Sequence, residues 1–379
     1  MFLQQTLDAF NQGKLDALTA SQLLNVSRAH LFRLRALWLQ HPTTFTLQSS
    51  GGDHRAAWPQ EVRQFLQAFL PLQRPPNYQL VADELAARFA FQRDRKSVAA
   101  YARAHFPLLV SVPAPTPKPR RRWQRAQVGE LWQHDSSIHQ WWPAQDKQTL
   151  LLTIDDHSRK LLGAVFVPTD TTWHHFQHFR RIFAAHGLPL VLYTDGLALF
   201  GYQSTTDGRD PCSEFQRALT ALGVTHLVAP SPQAKGKIER RFGTFQKRLL
   251  ALLAYEKITD YAPAQELLAR ELARQNRTVC RTTGLSPDQA CAKALDQKRS
   301  VLRACPAATL MDLHLAIYLG RRVNADHEID FLGRSWPIGA TAKHTVTIVH
   351  HPQNQFWVVT EPPKPPQNQW PDILARFSL

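Results

Sequence analysis

The chain predicts a multidomain α/β protein: a mixed-sheet core, flanked by all-α helix-turn-helix units before it and a small β-barrel after it. Three textures point there. Residues 1–112 carry apolar positions at helical spacing, residues 126–300 mix buried strands with amphipathic helices, and from Met311 onward short strands alternate with turns. A length of 379 residues is enough for two or three domains with cores of their own.

Lys and Arg number 45 against 30 Asp and Glu, a formal charge of +15, with a pI near 10.0. Such an excess favours a polyanion as partner, nucleic acid ahead of an anionic membrane surface. No apolar run approaches the ~20 residues of a membrane span. Met1–Gln5 shows no basic region followed by an apolar core, so no secretory signal is read there and a cytoplasmic location is expected. Cys212, Cys280, Cys291 and Cys305 lack Cys-x-x-Cys spacing, which fits reduced thiols better than disulfides or structural zinc.

In residues 1–50, Leu15, Leu18, Leu23, Leu24 and Val26 are spaced for a small helical core, with Thr19 or Ser21 as a cap. Ser27 caps a following helix whose exposed side carries Arg28, His30, Arg33 and Arg35. A turn followed by a basic helix outlines a helix-turn-helix DNA reader, and a plain helical bundle with a basic surface has the same outline. Residues 58–112 repeat the theme. Val62, Phe65, Leu66 and Phe69 form one stripe, and Tyr78, Leu80, Val81, Leu85 and Phe89 a second. A third helix begins near Ser97, with Arg93, Arg95, Lys96 and Arg103 on its polar side. The linker, 113–125, alternates prolines and then carries Arg120, Arg121 and Arg122, placed to follow phosphates or enter a minor groove, or to act only as a solvated spacer.

The core, 126–300, opens with strands over 131–139, 149–154 and 161–168, joined as an antiparallel meander. A helix over 172–186, a short strand ending at Asp195, a helix over 213–222 and a strand over 224–228 follow. A proline-rich turn then leads into a helix whose stripe is Ile238, Phe242, Phe245, Leu249 and Leu252. Residues 309–362 read as the β-barrel, and 363–379 as a proline-rich, loosely ordered tail.

Three carboxylates stand out. Asp135 lies within a strand that should be central, Asp195 closes a buried strand, and Glu239 borders the apolar stripe amid Lys235, Lys237, Arg240, Arg241, Lys247 and Arg248. Alone, Glu239 is an ordinary ion pair on a solvated helix. Meeting at one rim, the three acids would repel unless cations lay between them. Oxygen-only ligands suit Mg²⁺ or Mn²⁺, and two such ions about 3.5–4 Å apart serve phosphodiester chemistry. Asp155 and Asp156 are adjacent, point to different sides and fall in a turn. His174 and His178 have the spacing of a zinc pair, but no third ligand is evident and a solvated or DNA-facing helix is expected.

The motifs Trp132-Gln133-His134-Asp135, Asp155-Asp156-His157-Ser158-Arg159, Thr194-Asp195-Gly196 and Pro232-Gln233-Ala234-Lys235-Gly236-Lys237-Ile238-Glu239-Arg240 occur in that order. Together they resemble the catalytic core of DDE transposases and retroviral integrases, of the RNase H-like fold, over about residues 120–295. The flanking parts look like those of bacterial insertion-sequence and phage Mu-type transposases. The resemblance implies that Asp135, Asp195 and Glu239 are the catalytic, metal-binding acids, served by two Mg²⁺ (or Mn²⁺) ions. It implies a transposase that cuts at mobile-element ends and transfers the 3′-hydroxyl into target DNA. Double-stranded DNA is the partner, contacted by Lys235, Lys237, Arg240, Arg28, Arg33, Arg120, Arg121 and Arg122. A homo-oligomer on DNA is expected, associated with the bacterial nucleoid when bound. The stretch between Asp195 and Glu239 exceeds the family's usual spacing, and a surface insertion over 201–211 accounts for the surplus at little cost. Two other readings are a domesticated DNA-binding protein that keeps the fold without the chemistry and an RNase H-like nuclease without strand transfer.

Overall fold

The computed structural model describes residues 2–40, 58–73, 75–107, 124–143, 146–195, 213–229, 236–280, 283–340, 343–351, 355–361 and 372–378. The chain divides into two compact units, Met1–Gln60 and Glu61–Leu379.

In the first unit, α1 (Phe2–Asn11), α2 (Ala17–Leu23) and α3 (Arg28–Gln40) close on Leu7, Ala20, Leu31 and Leu34. Asp16, rather than Thr19 or Ser21, caps α2, its Oδ1 accepting the Thr19 N–H at 2.7 Å. Ser27 caps α3 as expected, its Oγ accepting the His30 N–H at 3.3 Å. The inward face of α2 centres on Ala20, so Leu18 and Leu23 turn out of the core, 67% and 48% exposed. Arg28, His30 and Arg33 are exposed. Arg35 instead folds back, donating from Nε and Nη2 to Asn11 Oδ1 at 3.2 and 3.1 Å.

The second unit begins with α4 (Gln60–Phe69), a 3₁₀ turn at Leu70–Leu72, α5 (Tyr78–Phe89) and α6 (Arg95–His105). The expected stripe of α4 is buried as read. Asp94 caps α6, which starts at Arg95, two residues before Ser97, by accepting the Ser97 N–H at 2.7 Å.

Next come β1 (Leu131–His139), β2 (Gln148–Asp155), β3 (Leu161–Val167), α7 (Thr172–His186), β4 (Val191–Thr194), α8 (Glu214–Ala221) and β5 (Thr225–Val228). They build one sheet in the order β3-β2-β1-β4-β5. β1, β2 and β3 run antiparallel, while β4 is parallel to both β1 and β5. Every residue of β2 is buried, because helices cover both faces. α7 and α8 lie on the face of Trp132, with Phe176, Phe179, Phe183, Leu192 and Phe215 in their core. The long helices α9 (Gly236–Tyr255) and α10 (Tyr261–Arg277) follow, then α11 (Pro287–Asp296) and α12 (Ala308–His314).

α10 also caps the free edge of β3. Gln265 Oε1 accepts the Phe166 N–H at 3.0 Å, and Asn276 pairs with both the N–H and the carbonyl of Leu161 at 2.9 Å. Side chains thus satisfy backbone groups that would otherwise invite another strand. The helices α4 and α5 dock on α9 and α10: Phe65 and Phe69 pack their rings on Tyr255, and Asp83 accepts from Arg248 and Arg274 at 2.8 and 3.0 Å.

The C-terminal part holds β6 (Ile317–Arg322), β7 (Glu328–Phe331), β8 (Arg334–Pro337), β9 (Thr345–His351), β10 (Gln355–Val359) and β11 (Ile373–Ser378). A sheet ordered β11-β10-β9-β6 and the hairpin β7–β8 share one core around Ile329, Phe331, Ile348 and Phe356. The hairpin turns through Leu332 and Gly333, both at positive φ (53° and 72°), which matches the twist of its strands. The end of the supposed loose tail is a strand: β11 pairs antiparallel with β10, and Phe377 packs on Phe356 and Trp336. Short apolar side chains beyond the prolines were enough to complete the sheet.

Candidate active site

β1 is the middle strand, and its alternation sorts side chains to two faces. Trp132, His134 and Ser136 face α7. Gln133, Asp135 and Ser137 face α9, where Gln246 Nε2 donates to Ser137 Oγ at 3.4 Å. The stripe Ile238, Phe242, Phe245, Leu249 and Leu252 is buried, so α9 is docked as the spacing predicts. Glu239 stands seven residues before Gln246, two turns up the same side of the helix and in its exposed first turn.

Asp195 follows β4 directly. The parallel register pairs Leu131 with Val191, Trp132 with Leu192 and Gln133 with Tyr193. Asp135 and Asp195 each lie two residues beyond the last pair of this ladder. Asp135 Oδ1 accepts the neighbouring Ser136 N–H at 3.0 Å. Two of the expected acids therefore lie in or directly after neighbouring strands, and the helix bearing the third packs on the same sheet. Among the described residues, no three of Asp, Glu, His and Cys come together closely enough to hold a metal ion. The donor chemistry, oxygen from every member, still fits a hard divalent cation.

Asp155 and Asp156 serve the turn. Asp155 accepts the Gly129 N–H at 2.9 Å and both the N–H and hydroxyl of Ser158 at 2.7 Å. Burial pushes its carboxyl upward, against these hydrogen bonds. Asp156 accepts from Gln133 Nε2 and from the Arg125 N–H, both at 2.9 Å. Of the expected DNA contacts, Arg240 is exposed on α9. Lys237 lies in the first turn of that helix. Its side chain, together with Lys235, Arg120, Arg121 and Arg122, lies outside the described residues.

The histidines of α7 differ from expectation. His175 and His178 are not on a solvated face but are buried, in a chain of hydrogen bonds beneath β1. Ser136 Oγ donates to Asp170 Oδ2 at 2.5 Å, and His175 Nε2 meets Asp170 Oδ1 at 2.6 Å. His175 Nδ1 meets His134 Nε2, His134 Nδ1 meets Thr153 Oγ1, and Thr153 Oγ1 meets His178 Nε2, each at 2.8 Å. One assignment satisfies every link with neutral rings: each Nε2 donates, and Thr153 gives its hydroxyl proton to His134. Burial acts to raise Asp170, but hydrogen bonds from His175 and Ser136 hold its carboxyl below the ordinary range. Gly163 lets α7 come this close, since a Cβ there would stand 2.6 Å from Ile182 Cγ2 and 3.2 Å from His178 Cε1. The readable signal was the inward alternation of His134 opposite two histidines three residues apart on one helix.

Burial, reinforced by His175 and Arg181, lowers His178 from 6.5 to about 3. His314 and His351 fall to about 4, chiefly by burial. Between those values and 6.5 the unfolded chain binds more protons than the folded one. Stability should therefore be steady above about pH 6.5 and decline as pH falls toward 3, by up to ~1.4 kcal/mol per pH unit for each group. Urea midpoints measured from pH 7.5 to 4.5 test this. His178→Gln should flatten the slope by about one proton, and an unchanged slope would exclude His178 as a source.

The sheet order and strand directions define a core of the RNase H-like class, the fold of the transposase and integrase cores that the sequence motifs resemble. The chain is 34% identical over 169 residues to the putative transposase y4bF of Sinorhizobium fredii, covering 44% of this chain and 37% of that protein. It is 31% identical over 222 residues to the transposase for insertion sequence IS1202 of Streptococcus pneumoniae, covering 58% of this chain and 44% of the relative. The chain thus spans less than half the length of either relative. No family model matches it. Among solved structures, the HTLV-2 integrase catalytic core domain in complex with magnesium aligns at 20% identity and a TM-score of 0.34, over 43% of this chain and 95% of that one. The simian T-cell lymphotropic virus intasome in complex with PP2A regulatory subunit B56 gamma aligns at 17% identity and a TM-score of 0.39, over 69% and 87%. Among the described residues, no helix is long and apolar enough to cross a membrane.

Proposed function

We propose that this protein is a DDE-type DNA transposase that cleaves at the ends of a mobile element and transfers the resulting 3′-hydroxyl into target DNA. What supports this reading is that Asp195 directly follows β4, the strand paired in parallel with the β1 strand of Asp135, on the sheet where the helix of Glu239 packs, within a core similar in sequence to transposases. Asp135, Asp195 and Glu239 would hold the divalent ions, Mg²⁺ or Mn²⁺, two per site. Bound there, they supply charge stabilisation at the phosphorus and an activated oxygen nucleophile. The chain's own residues orient the DNA. Lys235, Lys237 and Arg240 grip the strand beside the acids, and Arg120, Arg121 and Arg122 follow it through the linker. The exposed Arg28 and Arg33 of α3 read the element end. Because two ends are joined to one target, the working form is a homo-oligomer on DNA, at the nucleoid of a bacterial cytoplasm.

The test incubates the full chain with end-sequence duplex, a supercoiled target plasmid and Mg²⁺. Joined products are expected, and EDTA should abolish them. Cutting without joining would instead indicate a nuclease. Tight binding with neither reaction would indicate a DNA-binding protein that has kept only the fold.

A further inference from the structure

A cluster of basic and amide side chains lies where the turn after β2, the first turns of α9 and the last turn of α10 meet. Arg159 follows the buried Asp155-Asp156 pair and is itself 9% exposed. Its Nη1 stands 3.7 Å from Asp156 Oδ1, beyond hydrogen-bond reach, and Asp156 already accepts from Gln133 and Arg125. Arg241 Nη1 reaches Gln275 Oε1 at 3.5 Å. Gln275 is 4% exposed, and the neighbouring Asn276 ties α10 to Leu161, two residues beyond Arg159. Among the described residues, neither Arg159 Nη1 nor Gln275 Nε2 has a hydrogen-bond partner. Two buried donors without acceptors are costly.

The charge is unbalanced as well. Asp155, Asp156 and the Cys280 thiol act on Arg159 and Cys280 acts also on Arg241, while the exposed Arg240 adds a third guanidinium nearby. Burial holds both Arg159 and Arg241 below the usual guanidinium range, and Arg240 pushes each further the same way. Arg241 is only half-buried and Arg240 is open to solvent, in the stretch of α9 that also carries the exposed Glu239. A ligand with several acceptor oxygens and negative charge would answer the empty donors and the surplus charge together.

We propose that Arg159, Arg241 and Gln275 form an anion pocket that takes one backbone phosphate of the DNA strand passing the first turn of α9. The pocket rests on the DNA reading above, but its anion chemistry can be measured without any reaction. One phosphate would accept from Arg159 Nη1, Gln275 Nε2 and Arg241, and would fix the strand's register relative to Asp135 and Glu239.

The experiment compares the full-chain protein with Gln275→Glu, which places a carboxylate among the guanidiniums, and with Arg241→Gln, which removes half-buried charge. Melting is followed in inorganic phosphate and in chloride at equal ionic strength, and duplex binding is followed against salt. Phosphate is expected to raise the wild-type melting temperature and to leave both variants unmoved. Gln275→Glu is expected to melt higher than wild type without phosphate, yet to bind DNA with a log–log salt slope smaller by about one. Equal phosphate shifts in all three proteins, or none in wild type, would overturn the pocket and leave water as the occupant. A phosphate shift confined to wild type with an unchanged DNA slope would overturn the assignment to the DNA backbone. Absence of joined products with both pocket effects intact would count against the transposase reading alone.

Discussion

Asp135→Asn is expected to lower joining of 3′-hydroxyl ends into target DNA by about a thousandfold or more, roughly 4 kcal/mol of transition-state stabilisation. The change is nearly isosteric. Asparagine keeps the acceptor that Asp135 Oδ1 offers to the Ser136 N–H, and the Asp170–His175–His134 chain lies on the opposite face of β1. The melting temperature should therefore stay within a few degrees, and duplex affinity within about threefold, since neither depends on this carboxylate. Asp195→Asn and Glu239→Gln should give losses of similar size. The three acids act as one device, so a double variant should lose little beyond either single one. Strand-transfer products quantified on gels, with binding measured in parallel, separate the outcomes. Joining that persists near wild-type levels in all three variants would remove these acids from the chemistry.

What could be read from the residues alone was whatever has a local period or a local motif. The stripe of α9, the strand alternation around Asp135 and the abrupt end of β4 at Asp195 are short-range patterns, and each appears in the structure where it was expected. Asp155, the last residue of β2, and Asp156 likewise stand where that strand gives way to its turn. Features that depend on distant partners were not legible. Histidines on a helix look solvated until Gly163 lets α7 approach β3 and Thr153 accepts His178. Ile373–Ser378 looks like a tail until the edge of β10 recruits it. The cap of α2 falls on Asp16 instead of Thr19 or Ser21, and α6 starts at Arg95 ahead of Ser97, because several polar residues compete near each helix start and only backbone geometry selects one. The docking of α5 on α9 left no sequence signature, since Asp83 and Arg248 are 165 positions apart.

That docking leads to the second large effect: Arg248→Ala is expected to cost about 3–5 kcal/mol of stability. The Arg248 side chain is 3% exposed and Glu271 is 6% exposed, joined by two hydrogen bonds of 2.6 and 3.2 Å, while Arg248 Nη1 reaches Asp83 at 2.8 Å. Burial works to raise Glu271, and Arg248 together with Arg274 holds it below its ordinary range. Among the described residues, removing Arg248 leaves a buried carboxylate facing only Arg274, whose side chain is 28% exposed and already shared with Asp83. The loss therefore comes mainly from the stranded charge of Glu271, and it should be largely reversed by taking that charge away too. Arg248→Met with Glu271→Met is expected to regain most of the stability in urea unfolding, giving a strongly favourable coupling in the double-mutant cycle. The same helix carries Glu239 about two and a half turns earlier, and its far end bears Tyr255 under Phe65 and Phe69. A less firmly docked α9 should lower joining more than it lowers duplex binding, and the Met–Met variant should restore both. A cost below about 1 kcal/mol for Arg248→Ala would mean that water reaches this network and that α9 is held by its apolar stripe alone.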